Sequence, residues 1–299
     1  MLKRALRRID DYQRGRPWLS FPLAVIRKFG DDGAWDLAAL IAYYGFFALF
    51  PLLLILVSVL GFVLHGHQSL QRSILESALA QFPVIGDQLR AHYESLTANG
   101  VVLGIGSVAA LWAGLGVTRA AQKAMNAVWD VPAEQRPGFL AARGRGLVML
   151  VVLGSMTVAA IFLSGLGTAT GQLGAPLRIL GYLGSLGLNV VLFLLAYRLL
   201  TVKRLTWGDV LPGAVAGAVL WTAMQLVGTY FVSRQVKQAT PVYGTFAIVI
   251  GLLFWIHLGA QLTVLCAEVN AVRVQRLWPR SLLSRGGSAH ARQGRDAVR

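Results

Sequence analysis

Residues 37–64 read LAALIAYYGFFALFPLLLILVSVLGFVL, 28 consecutive positions without a charged side chain. A bilayer core of about 30 Å is crossed by roughly 20 apolar residues in a helix. The stretch is therefore long enough to span with tilt or a bend. Pro51 falls in its middle, where it removes one backbone donor and frees the carbonyl of Phe47. In lipid that is tolerated only where neighbouring helices, polar side chains or water shield the carbonyl. We read the stretch as a kinked first membrane helix.

The rest of the chain repeats this composition. Uncharged runs cover Ser95–Thr118, Gly146–Leu177, Ile179–Tyr197, Val210–Ser233 and Gln238–Ala267, each long enough to hold a span. Gly146–Leu177 exceeds one helix, so part of Leu166–Leu177 is expected as loop or re-entrant segment. The expected fold is all-α, a polytopic bundle of six transmembrane helices at about 37–64, 99–118, 147–168, 179–197, 210–232 and 244–267. Between the first two, residues 65–98 carry Leu70, Ile74, Ala78 and Leu79, then Ile85, Leu89, Tyr93 and Leu96, at helical spacing on either side of Phe82-Pro83. That reads as a short helical outer cap.

Hydrophobic residues make up 56% of the chain and charged ones 14%, with a mean hydropathy of +0.59, values that exclude an ordinary soluble domain. A net charge of +15 would point to nucleic acid in a soluble protein. Here 23 of the 28 Lys and Arg fall in the terminal segments and alternate loops, against 5 in the remaining loops. The positive-inside rule then places both termini in the cytoplasm and the 65–98 cap outside. The lone cysteine, Cys266, excludes a disulfide within the chain, and no cleavable signal is visible.

Residues 1–16 place Leu2, Ala5, Leu6, Ile9 and Tyr12 on one helical face among basic residues. This is either a membrane-surface helix or a solvated basic tail, broken by Pro17 and Pro22. Trp18, Phe21 and Trp35 suit the headgroup boundary, and Asp31-Asp32-Gly33 reads as a turn before the first span. The expected organisation is an amphipathic cytoplasmic or interfacial segment over 1–30, a membrane domain over 31–273 and a basic disordered cytoplasmic tail over 274–299.

Several stretches, in order over about residues 30 to 272, resemble the YihY/BrkB family of bacterial inner-membrane proteins. They are Ala38–Leu54, Arg119 with Asn126-Ala127-Val128-Trp129, Leu211-Pro212-Gly213-Ala214 with Trp221, and Pro241-Val242-Tyr243-Gly244 with Trp255 and Ala267-Glu268-Val269-Asn270. One departure is Ala48, where the family often has serine. The resemblance implies a six-helix protein of the bacterial cytoplasmic membrane and brings Asn126, Tyr243 and Asn270 among the candidate residues. It delivers no settled activity: members have been labelled ribonuclease BN, linked to virulence, or suspected of moving lipids.

Little in the sequence supports an enzyme. His65, His67, His92, His257 and His290 are scattered, and the His65-Gly66-His67 pair offers two ligands, which is not a metal site. No carboxylate lies deep in a span, and no G-x-S-x-G or H-E-x-x-H occurs. We expect no catalytic residues, no metal and no cofactor. Asp36, Asp209 and Glu268 meet Arg119, Arg145 and Arg198 at the cytoplasmic level, as ordinary interfacial charge or as a network closing the inner end of a cavity.

Polar residues within spans are Asn189, Gln225, His257 and Gln261. His257, Gln261 and Glu268 share a face of the sixth helix; Asp36, Tyr43, Phe47 and Pro51 share one of the first. These faces are expected to meet across a partly hydrated cavity, or else simply to hydrogen-bond helix to helix. Arg119 either pairs with Glu268 or holds an anionic headgroup in its fork of donors. Gly100/Gly104, Gly167/Gly171, Gly213/Gly217 and the strip Gly181, Gly184, Gly187 read as close-packing seams. The functional expectation is a transporter or flippase of an amphipathic, anionic, lipid-like solute. A non-transporting scaffold for envelope proteins is the alternative, and a ribonuclease comes last. Expected partners are membrane lipids and their anionic headgroups at the cytoplasmic face, not nucleic acid; oligomerisation stays open.

Overall fold

The computed structural model describes residues 17–63, 100–169, 175–235 and 244–278. The surface helix over 1–16, the outer cap over 65–98, Tyr243 and the tail beyond 278 lie outside the described residues. Among the described residues the chain is helical throughout: α1 (Pro17–Asp31), α2 (Ala34–Val63), α3 (Gly100–Val128), a 3-10 turn (Ala133–Gln135), α4 (Phe139–Ala169), α5 (Ala175–Leu200), α6 (Trp207–Gln235) and α7 (Gly244–Gln275). Among the described residues four stretches, Phe139–Thr157, Leu183–Leu200, Trp207–Gly228 and Val249–Gln275, are long and apolar enough to cross a membrane; Ala34–Leu49 adds a shorter apolar run.

One local expectation is corrected. Pro22 does not end a helix but lies inside α1. It removes one intrahelical bond, to the Trp18 carbonyl, and its ring crowds that carbonyl, a local cost that the helix tolerates. The Leu166–Leu177 stretch is helical up to Ala169 and again from Ala175; residues 170–174, where a loop or re-entrant segment is expected, lie outside the described residues. The helices also outrun the apolar runs: α3 continues ten residues past Thr118 and α7 eight past Ala267. A helix satisfies its own backbone in water as in lipid, so loss of apolarity marks the end of the hydrocarbon and not of the helix. Pro51 lies within α2, which is helical on both sides of it.

Each of α2 to α7 packs on the next, and α7 closes back onto α2; α1 lies along α7. Small residues make the inner contacts. Ala34, Ala38, Ala42 and Ala48 are buried on α2, and Ala214 and Ala218 on α6. Large apolar side chains point outward, with Trp112 at 78% exposure and Leu111, Val148, Val151, Leu226, Val227 and Phe254 all exposed. That inversion of the soluble pattern fits a lipid surround, where apolar contact between helices confers no advantage over lipid and close backbone approach does.

The close approach is made by aromatic rings over glycines. Tyr44 of α2 covers Gly116 of α3, and Phe193 of α5 covers Gly217 of α6. Between α6 and α7 the arrangement is reciprocal: Trp255 lies on Gly228 and Trp221 on Gly259. Among the described residues nothing approaches Gly104, Gly184 or Gly187 within 4 Å, so these three make no seam there; Gly100 and Gly181 are not among the glycines whose surroundings are described.

Candidate functional site: a polar clasp at one end of the bundle

The start of α2, the end of α3, the start of α4, the end of α5, the start of α6 and the end of α7 come together at one end of the bundle. Polar side chains join them in three knots.

The first centres on Lys28, near the end of α1 and 2% exposed. Its ammonium donates to the Val128 carbonyl at 2.8 Å, one of the carbonyls left without an intrahelical partner at the end of α3. It also donates to Asp32 one turn on, lies 3.3 Å from Glu268 Oε2 and 3.9 Å from Asp130 Oδ2. Asp130 is delivered by the way α3 stops. It takes a left-handed φ of 51°, and the Val131 amide returns to the Asn126 carbonyl, closing a Schellman turn. Asp32 is delivered by the turn at Gly33, whose φ of 63° suits glycine. Burial opposes the Lys28 charge, but Glu268, Asp32 and Asp130 together outweigh it and hold its pKa above 10.5. Burial likewise raises the Asp32 carboxyl above 3.8, and Lys28 pulls it only part of the way back.

The second knot joins α3 to the α5–α6 loop. Asn126 Oδ1 accepts the Val202 amide at 3.1 Å and stands 3.5 Å from the Thr201 hydroxyl. Arg145 of α4 donates to the Thr201 carbonyl at 2.7 Å and reaches Leu199 at 3.4 Å.

The third joins α6 to α7. Pro212 cannot donate to the Gly208 carbonyl four residues back, and Arg273 supplies the missing donor at 3.1 Å. Asn270 accepts the Gly213 amide at 2.7 Å and donates to the Val210 carbonyl at 3.1 Å. Gly213 is required here, because a Cβ would run into the Cys266 carbonyl and the Asn270 amide. Thr206 and Asp209 cap the helix, with Asp209 accepting the Thr206 amide at 2.8 Å.

Cationic side chains and aromatic rings surround the clasp. Arg143 lies 4.2 Å and Arg119 5.8 Å from the Phe139 ring, Arg198 4.1 Å from Trp207, and Lys203 5.6 Å from Trp129. A groove of about 300 Å³ opens beside Trp129, Asp130, Gln135, Val202 and Lys203.

Of the residues singled out from the sequence, Glu268, Asn126, Asn270, Arg145 and Asp209 enter the clasp. Arg119 does not: it is exposed over Phe139, while Glu268 faces Lys28. His257 and Gln261 bond to one another at 2.7 Å on α7. Asp36, Tyr43 and Phe47 do not turn toward them; Tyr43 is 56% and Phe47 53% exposed, the two rings packed edge-on at 5.0 Å. On α2 it is Gly45 that packs against α7, under Ile256. Asn189, Gln225 and Pro51 are half-buried. Lys28 was missed by the sequence reading, although it stands four residues before Asp32, the spacing of a helical ion pair.

Three segments of the motif set, around Asn126, Gly213 and Glu268–Asn270, thus converge on one structure. The profile of the virulence factor BrkB family matches residues 25–285. The chain belongs to this family. Similar members include the ribonuclease-like protein YfkH of Bacillus subtilis, 24% identical over 80% of this chain and 90% of that protein. The inner membrane protein YhjD of Escherichia coli is 23% identical over 84% and 80%. A UPF0761 membrane protein of Rhodospirillum centenum is 23% identical over 87% of this chain and 60% of the longer relative. No solved structure matches the chain. Like YhjD and the UPF0761 relative, it is a membrane protein.

Proposed function

We propose that this BrkB-family chain is a bacterial inner-membrane carrier of an amphipathic, anionic, lipid-like solute, with the clasp as its cytoplasmic gate. The observation that carries the reading is the buried ion cluster of Lys28 with Glu268, Asp32 and Asp130. A permanent joint would be made at least as well by apolar packing, since desolvating charges offsets what their attraction returns. Ionisable groups buried in a membrane protein are functional candidates by default. Here they join α1, α3 and α7, three elements that must part if the cytoplasmic end opens. The cationic rim supports an anionic solute, with Arg119 free to present its fork of donors to a headgroup.

In this reading both termini are cytoplasmic, which reporter fusions at Arg299 and within 69–98 test. A periplasmic C-terminus would sink the six-helix topology. The chain has no enzymatic role in it, so RNA incubated with purified protein should remain intact. The direct test is reconstitution into vesicles carrying a fluorescent anionic phospholipid. Protein should speed its exchange between leaflets; the rate of empty vesicles would end the carrier reading.

The reciprocal Trp–Gly packing of α6 and α7 favours a second reading, a rigid scaffold for envelope proteins. It predicts no lipid exchange and co-purifying envelope proteins that are lost on deletion of the chain.

A further inference from the structure

Around Lys28 the charges do not balance. One ammonium faces Glu268, which is 0% exposed, and Asp32, with Asp130 farther off at 3.9 Å. Neither Glu268 oxygen accepts a hydrogen bond, although Oε2 is at ion-pair distance from Lys28. Asp32 and Glu268 meet on the same Lys28 ammonium, which brings the two carboxyls side by side. Two ionised carboxylates can only accept, and side by side they repel; one proton between them converts repulsion into a bond.

The packed elements bring no second cation to this pair among the described residues. On α1, Arg27 pairs with Asp31 at 3.8 Å. After α3, Arg136 donates to the Val131 carbonyl, and Lys123 is exposed. On α7, Arg273 is occupied by the Gly208 carbonyl at the start of α6, where Asp209 is held by the Thr206 amide. On α2, Asp36 is exposed.

We propose that Glu268 and Asp32 hold one proton between them, making the clasp an occluded proton-binding site. With the proton in place, the Glu268–Asp32–Lys28 group is neutral. Its release leaves a negative charge in a desolvated pocket and sets Asp32, on the α1–α2 turn, against Glu268 of α7. Only the consequence rests on the gate reading: if the clasp is a gate, proton occupancy sets whether it is shut.

Infrared spectra of the full chain in vesicles, recorded against pH, read the proton as the carbonyl stretch of a protonated carboxyl group. The wild type should show this band at neutral pH and lose it as the pH rises. Glu268→Gln and Asp32→Asn should each abolish it, because each leaves one carboxylate for one ammonium. Lys28→Met should strengthen it, because the carboxyl pair then lacks its counter-charge. Should one neutral variant fail to fold, the other reads the same proton. No band in the wild type at neutral pH, or a band that survives in the neutral variants, overturns the proposal. Lipid exchange plays no part in this measurement, so the carrier reading can fail while the proton site stands.

Discussion

At the clasp, helix ends are joined by long polar side chains that reach between elements: Lys28 to α3 and α7, Arg145 to the end of α5, Asn270 to the start of α6. A few turns deeper, α6 and α7 meet through Trp221 on Gly259 and Trp255 on Gly228. The two regions solve different problems. Helix ends carry unpaired carbonyls and amides, and each needs a donor or acceptor from elsewhere. Mid-helix backbone is already satisfied, so only shape is left to optimise. In the proposed gate, the clasp is the part that would open, while the seam of rings on glycines would move as one piece.

The sharpest way to break that contrast is Lys28→Met. Removing one partner from a buried ion cluster costs about 3–5 kcal/mol, because the remaining charges are left uncompensated. The purified variant should melt well below the wild type, and Lys28→Met combined with Glu268→Gln and Asp32→Asn should recover most of the loss. A single variant as stable as the wild type would mean that the clasp holds nothing.

Glycine substitutions separate packed from open positions. At Gly213 an added methyl meets the Cys266 backbone, which cannot rotate away, so Gly213→Ala should cost about 1–3 kcal/mol or more by overpacking. Gly184→Ala meets nothing, and in a helix interior alanine should gain up to about 1 kcal/mol over glycine. Thermal unfolding in detergent reads both. Equal effects would erase the distinction between seam and surface.

These glycines also mark how much was legible in the sequence. Lipid-length apolar runs announce helices, and the alternation of basic loops groups the correct ends: segments near 28, 130, 145, 200, 209 and 270 do meet. Which glycine is packed was not legible, since Gly184/Gly187 and Gly213/Gly217 look alike until a partner helix is placed. Nor was the face of α2. Tyr43 and Phe47 look like cavity-lining residues, yet small alanines win the interior because they let backbones approach. Glu268 stood out by its charge, and Asn270 through the family resemblance. Lys28 hid in a basic N-terminal segment, where one more lysine carries no signal of burial.

A smaller effect comes from pH. Asp32 and Lys28 both titrate higher in the folded chain than when free. A group with a raised folded pKa contributes stability that is complete below its unfolded value and lost as the pH passes the folded one. For Asp32 the loss begins above 3.8, and for Lys28 above 10.5. The clasp should therefore weaken toward alkaline pH and not toward acid. Melting temperature should fall as the pH is raised from the mildly acidic range, and Asp32→Asn should flatten the acidic part of that slope. A profile that instead improves steadily as the pH rises would contradict this account of the clasp.

The least effect on stability is expected at Arg119, which separates clasp from rim. Its guanidinium is exposed and lies 5.8 Å from the Phe139 ring, a contact of about 0.5 kcal/mol at such a site. Arg119→Ala should thus leave the melting temperature nearly unchanged. The swap Arg119→Glu with Glu268→Arg should rescue nothing, because the partner of Glu268 is Lys28 and the swap sets a second cation beside it. If Arg119 receives the anionic headgroup, Arg119→Ala slows lipid exchange at unchanged stability. Arg119→Lys slows it as well, because an ammonium lacks the planar fork that grips two oxygens at once. Full exchange by Arg119→Ala would leave this arginine a topology charge and move the search for the solute to Lys203 and Arg198, which stand over Trp129 and Trp207 on the same rim.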